Sequence, residues 1–140
     1  TDCDPRSIKS SKRVFKTGDI LYGKLRPNLN KVYVAEFDGI CSTDILAFRL
    51  QDYHKSLVYH SILISDNFNI KVLKGITGSR LPRTSFNHMK NIKVPIVPSD
   101  FQKQIVEKLE SERKIIEGNK KLIEISSKKI ENRINKIWGD

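Results

Sequence analysis

The usual signatures of enzymatic chemistry are missing from these 140 residues. No glycine-rich cofactor turn follows a strand, no Asn-Pro-Pro-Tyr segment of the methyl-transfer type occurs, and no nucleophile elbow is present. No acidic cluster stands beside a lysine in the manner of a nuclease. The three histidines, His54, His60 and His88, have no nucleophile and orienting group at matching positions, so each reads as a surface or packing residue. Cys3 and Cys41 form no Cys-x-x-Cys pair, and no histidine stands at metal-ligand spacing from them. Free thiols in a reducing cytoplasm are the simplest inference. No apolar run approaches the roughly 20 residues of a membrane span, and no segment has the layout of a secretory signal. The chain therefore reads as a binding protein that holds no metal or cofactor of its own and catalyses nothing.

What is present is basic charge and one long amphipathic stretch. Hydrophobic residues make up 38% of the chain, enough for a single soluble domain with an extension. The formal net charge is +10, and it is uneven: residues 1–100 hold 16 Lys and Arg against 9 Asp and Glu, residues 101–140 hold 10 against 7. A polyanion is the natural partner of such a head, with nucleic acid ahead of membrane because no helix combines a basic face with an aromatic one. Excess lysine that merely aids solubility is the competing explanation.

From Ser99 to Trp138 the chain contains no proline. Ser99 stands three residues before Gln102, the spacing of a capping box. Leu109, Ile116, Ile123, Ile130 and Ile137 recur every seven residues, a line that would pack against another helix. Glu110, Glu117 and Glu124 each precede Lys114, Lys121 and Lys128 by four residues, which marks a solvated face. The second seam, Val106, Arg113, Lys120, Ser127 and Ile134, is apolar only at its ends, so a uniform parallel zipper is disfavoured and an antiparallel pair is expected. An unbroken helix of this length spans about 60 Å, too long to be covered by a small head. Folding back at Gly118–Asn119 is the alternative, but both rows keep phase across Gly118.

In the head, Arg13–Lys16, Asp19–Lys24 and Lys31–Phe37 read as strands of an antiparallel meander, and Ile45–Leu50 as a buried strand. Tyr53–Ser65 reads as a helix, with Asp66 capping a second helical segment that reaches Lys74. Asn91–Val97, alternating Ile92, Val94 and Ile96, reads as a strand leading into the helix. Two loops carry the binding chemistry. The first, Lys24–Lys31, sets Lys24, Arg26, Asn28, Asn30 and Lys31 around Pro27, a turn suited to a phosphate backbone. The second, Gly75–Arg83, combines two glycines with Ser79, Arg80 and Arg83, and it lacks the Gly-Lys-Ser/Thr of a Walker loop. Between them, Ser42, Thr43 and Asp44 could read base edges or tie off a turn through backbone amides, the structural role being favoured for Asp44.

The segments Gly18-Asp19-Ile20-Leu21-Tyr22-Gly23-Lys24-Leu25-Arg26-Pro27-Asn28, Ile40-Cys41-Ser42-Thr43-Asp44, Thr77-Gly78-Ser79-Arg80-Leu81-Pro82-Arg83, Ile92–Pro98 and Gln104-Ile105-Val106, in this order, resemble the target recognition domain and conserved helix of a type I restriction-modification specificity subunit. The resemblance implies an α+β fold: a small β-rich mixed head with short helices over residues 1–98, then a spacer and dimerisation helix over 99–140. It implies sequence-specific binding of double-stranded DNA, with the helix paired antiparallel to a second long helix as a ruler between two halves of a split site. Methylation would come from partner methyltransferase subunits using S-adenosylmethionine, and cleavage from a restriction or motor subunit. One head and one helix suggest a half-length subunit, which pairs with a second copy or second half, or a piece of a longer one. The terminal recognition domain of a single-chain N6-adenine methyltransferase is the nearest alternative. A protein-interaction scaffold with incidental charge is the alternative from another class.

Overall fold

The apolar run Ile20-Leu21-Tyr22, with apolar side chains for both faces of a sheet, sets the plan of the head. The computed structural model describes residues 11–76 and 81–139, which divide into two units, Thr1–Pro98 and Ser99–Asp140. In the first unit strand β2 (Ile20–Gly23) is flanked on both sides by antiparallel neighbours, β3 (Val32–Val34) and β5 (Ile45–Phe48). Its even positions, Ile20 and Tyr22, are buried. Tyr22 and Leu46 join Phe68, Val72 and Met89 in the larger apolar cluster, where the Tyr22 and Phe68 rings meet edge to face at 6.4 Å. Phe68 and Val72 come from helix α2 (Asp66–Leu73) and Met89 from the short helix α3 (Phe86–Met89), while helix α1 (Tyr53–Leu63) packs beside β3.

The opposite face of the same sheet has a different cover. Leu21, Ile45 and Ala47 pack against Phe15, Ala35 and Cys41. Phe15 and Cys41 belong to a separate two-stranded ribbon in which β1 (Lys12–Phe15) runs antiparallel to β4 (Gly39–Ser42). Gly39 pairs with Phe15, and a Cβ there would lie 2.7 Å from the Phe15 ring, so any side chain would displace it. The expected meander is therefore corrected. Among the described residues only β2 and β3 pair as sequence neighbours; β1 crosses to β4, and β5 returns to the free edge of β2.

Asp19 stabilises the crossing. Its buried carboxylate accepts from Arg49 Nε at 2.8 Å and Nη2 at 2.7 Å and from the Lys16 N–H at 2.8 Å, and its carbonyl accepts the Ala35 N–H. The Arg49 hydrogen bond outweighs the opposing cost of burial and holds the carboxyl below its ordinary value. Asp38, bonded to Lys16 and Thr17, is held at about 2.

Helix starts follow side-chain caps. Asp52 accepts from the His54 N–H before α1, and Ser65 from the Phe68 N–H before α2, so the second cap is Ser65 and not Asp66. Asn91–Val97 forms no strand, contrary to the alternation of its apolar residues. Pro95 and Pro98 offer no N–H to a ladder, Ile92 packs against the larger cluster, and Ile96 is 90% exposed.

The second unit is one helix, α4 (Ser99–Trp138), unbroken through Gly118, and Ser99 is its first helical residue. Leu109 is half-buried, whereas Ile116, Ile123, Ile130 and Ile137 are exposed, as is every residue from 110 to 139. Among the described residues no helix is long and apolar enough to cross a membrane.

Candidate nucleic-acid interface

The loop between β2 and β3 is held by its own backbone. Gly23 N–H donates to the Lys31 carbonyl at 2.9 Å, closing the loop, and the Lys31 side chain lies over Gly23. Within it Pro27–Leu29 forms a 3-10 turn, closed by Leu29 N–H to Arg26 O and Asn30 N–H to Pro27 O, both 2.9 Å. The turn packs on α2 and buries Pro27. Both residues bounding it are left-handed: Arg26 at φ 50°, ψ 61° and Asn30 at φ 46°, ψ 50°. Asparagine tolerates this conformation, and the Asn30 side-chain amide donates to the Ile64 carbonyl. Arginine is a strained choice, and its side chain is exposed, as is that of Asn28.

A distant segment is tied to this loop. Leu25 and Arg83 form an antiparallel bridge, with Arg26 N–H donating to Pro82 O at 2.8 Å and Thr84 N–H to Lys24 O at 3.1 Å. Asp44 joins them from a third direction. Its carbonyl accepts the Lys24 N–H at 2.8 Å, its carboxylate pairs with Arg83 Nη2, and its own N–H donates to Ser42 Oγ at 3.2 Å. Lys24 is half-buried, while Ser42, Thr43 and Arg83 are exposed. Lys24, Arg26 and Arg83 thus belong to one bonded cluster, with Ser42 and Thr43 on the turn beside it. Asn30 sits at the far side of the 3-10 turn, against the end of α1. Ser79 and Arg80, with Thr77 and Gly78, lie outside the described residues.

Beside the cluster the sheet face is left open by the β1–β4 ribbon. The opening is a cleft of about 530 Å³, lined by apolar Leu21, Leu25, Tyr33 and Ile45 and by Lys31, Ser42 and Asp44. Sequence reasoning singled out Lys31 and Ser42 but gave no binding role to Tyr33, which lies in a segment read only as a strand, or to Leu25, which lies in the basic loop among the cations. It also missed the contact between Asp44 and Arg83, 39 positions apart, for which no local pattern exists. Arginine and lysine donors on fixed backbone, next to an apolar surface, can hold phosphates and contact base edges. Among the described residues no group of three or more His, Cys, Asp or Glu could hold a metal ion.

Fold and loops together define a small α+β head that presents a fixed cationic loop cluster and is followed in the chain by a long helix. Residues 7–127 match the family described as the type I restriction modification DNA specificity domain. The chain belongs to that family. It is also 32% identical over 104 residues to the type I restriction enzyme EcoDI specificity subunit of Escherichia coli, a stretch that covers 74% of this chain and 23% of that relative. The chain thus spans under a quarter of the length of the curated relative it matches.

Proposed function

We propose that this chain is a DNA target-recognition module of a type I restriction-modification specificity subunit. The head binds duplex DNA through Lys24, Arg26, Asn28, Asn30, Lys31, Ser42, Thr43, Ser79, Arg80 and Arg83. The module itself carries out no catalysis. It directs methyltransferase subunits, which bring S-adenosylmethionine, and a restriction or motor subunit. Helix α4 pairs antiparallel with a second long helix, from another copy or from the other half of the subunit, through Leu109, Ile116, Ile123, Ile130 and Ile137. Antiparallel pairing sends two heads to opposite ends, the arrangement that reads two half-sites.

The observation that carries the DNA reading is the joining of two cationic segments by the Leu25–Arg83 bridge, inside the stretch that matches the family. Chain segments far apart in sequence are joined by main-chain bonds, and Arg26, Lys31 and Arg83 are exposed on them, beside Asn28, Leu29 and Leu81. Binding to duplex DNA across a salt series tests the reading. Neutralising about five phosphates gives a slope of log K on log salt near −4.5. Alanine at Arg26, Lys31 or Arg83 costs more affinity than at Lys12 or Lys55. Affinity independent of salt, or no binding at low salt, rules the reading out.

A further inference from the structure

We propose that the Asp44–Arg83 pair contacts a base edge, with Arg83 donating to a guanine and Asp44 acting as the positioning residue that keeps the guanidinium from phosphate. The inference rests on the DNA reading above and assigns a division of labour within it. Both partners are fixed by backbone. Asp44 is held by its carbonyl to Lys24 and its N–H to Ser42, and Arg83 by the bridge to Leu25. The carboxylate takes Nη2, which leaves further guanidinium donors on a side chain that is 54% exposed.

A phosphate approaching this pair meets a carboxylate as well as a guanidinium, so attraction to one is offset by repulsion from the other. The O6 and N7 acceptors of guanine carry no net charge, and they suit the remaining donors of the fork without displacing Asp44. Arg26 and Lys31 are in the opposite situation. Among the described residues no ion pair joins either of them to a carboxylate, and both are exposed, which suits phosphate contact.

The test uses the full chain and a duplex library randomised at every position, with selected duplexes and scrambled controls then titrated across a salt series. Arg83→Lys keeps the charge and loses the fork. It is expected to lose a guanine preference at one position, by about 5- to 150-fold, with the salt slope unchanged. Asp44→Asn frees Arg83 for phosphate, so the scrambled duplex binds more tightly and the slope steepens by about 0.9. Arg26→Ala weakens all sequences alike and flattens the slope by a similar amount. Base preference intact in Arg83→Lys, or a lost preference for a base other than guanine, overturns the assignment, as does an Asp44→Asn variant with unaltered slope. If Asp44→Asn does not melt as a folded protein, the Arg83→Lys arm decides alone. Wild-type binding with no base preference overturns the base contact and leaves phosphate binding standing, whereas no wild-type binding removes both.

Discussion

Replacing Arg26 with glycine should weaken DNA binding and stabilise the head relative to the alanine variant. Arg26 has φ 50° and ψ 61°, where a side chain crowds the following carbonyl at a cost of about 1–2 kcal/mol. Alanine keeps that crowding and removes the cation. Glycine removes both, but it gives the unfolded chain extra freedom worth about 0.4–1 kcal/mol. The difference leaves glycine ahead of alanine by about 0.5–1 kcal/mol, the reverse of their usual order. In a domain of this size about 1 kcal/mol moves Tm by 4–8 °C, so a gap of a few degrees is readable by thermal melting. The bonds to Pro82 and Leu29 use backbone atoms and survive both changes. DNA affinity should fall equally in the two variants, since each removes the same cation. Alanine as stable as glycine would refute the left-handed geometry. Unequal loss of affinity would show that the loop backbone, and not the charge, makes the contact.

A carboxylate held below its ordinary value stabilises the fold above its unfolded pKa and stops doing so as pH falls through its folded pKa. With Asp19 lowered and Asp38 at about 2, the urea midpoint should be flat above about pH 5 and fall between about pH 4 and 2. Asp19→Asn should start lower and lose less over that window; parallel curves would exclude the Asp19–Arg49 pair as a cause. Ile116→Asp with Ile123→Asp removes two side chains that are 53% and 66% exposed in the single chain, each worth about 1.5–3 kcal/mol when buried by a partner. Pairing should weaken by at least about a hundred-fold, seen as a lower sedimentation mass with head melting unchanged, and an unaltered mass would sink the pairing model. Gly118→Ala sits about 200° around α4 from Ile116, where an added Cβ meets nothing within 4 Å. It should add about 1 kcal/mol of helix stability, read by circular dichroism, and leave the assembled mass as it was.

What the sequence made legible was local. The β-type residues of Asp19–Lys24 read as a strand, and the structure makes Ile20–Gly23 one, with Ile20 and Tyr22 buried. The phase kept across Gly118 likewise marked one helix, because a helix-terminating residue matters less than twenty residues of register on either side. Pairing was not legible. Nothing in Arg13–Lys16 says whether its neighbour is β2 or β4; that choice rests on Phe15 finding Gly39, the residue with room for its ring. Asn91–Val97 misled because alternation reports which residues could face a sheet, while Pro95 and Pro98 decide whether a sheet can accept them. Both basic loops were visible as compositions, but the bridge that joins them spans positions 25 and 83 and depends on main-chain bonds that side-chain identity does not encode.

A frame built from main-chain bonds leaves side chains of the cluster open to exchange. The contacts fixing the cluster, Gly23 to Lys31, Lys24 to Asp44, Arg26 to Pro82 and Thr84 to Lys24, run between backbone atoms. Arg26, Asn28 and Lys31 are exposed on this frame and contribute little to the apolar clusters. Exchanging them should alter what is bound while costing little stability, about the ±0.5 kcal/mol of ordinary surface changes apart from the strain at Arg26. Asn30, Asp44 and Arg83 differ, because the Asn30 side chain bonds to Ile64 and the Asp44 and Arg83 side chains bond to each other. The polar side chains on this frame therefore fall into two groups: Arg26, Asn28 and Lys31 should exchange at little cost to the fold, whereas a change at Asn30 or at either member of the Asp44–Arg83 pair removes a bond and should cost stability as well as alter what is bound.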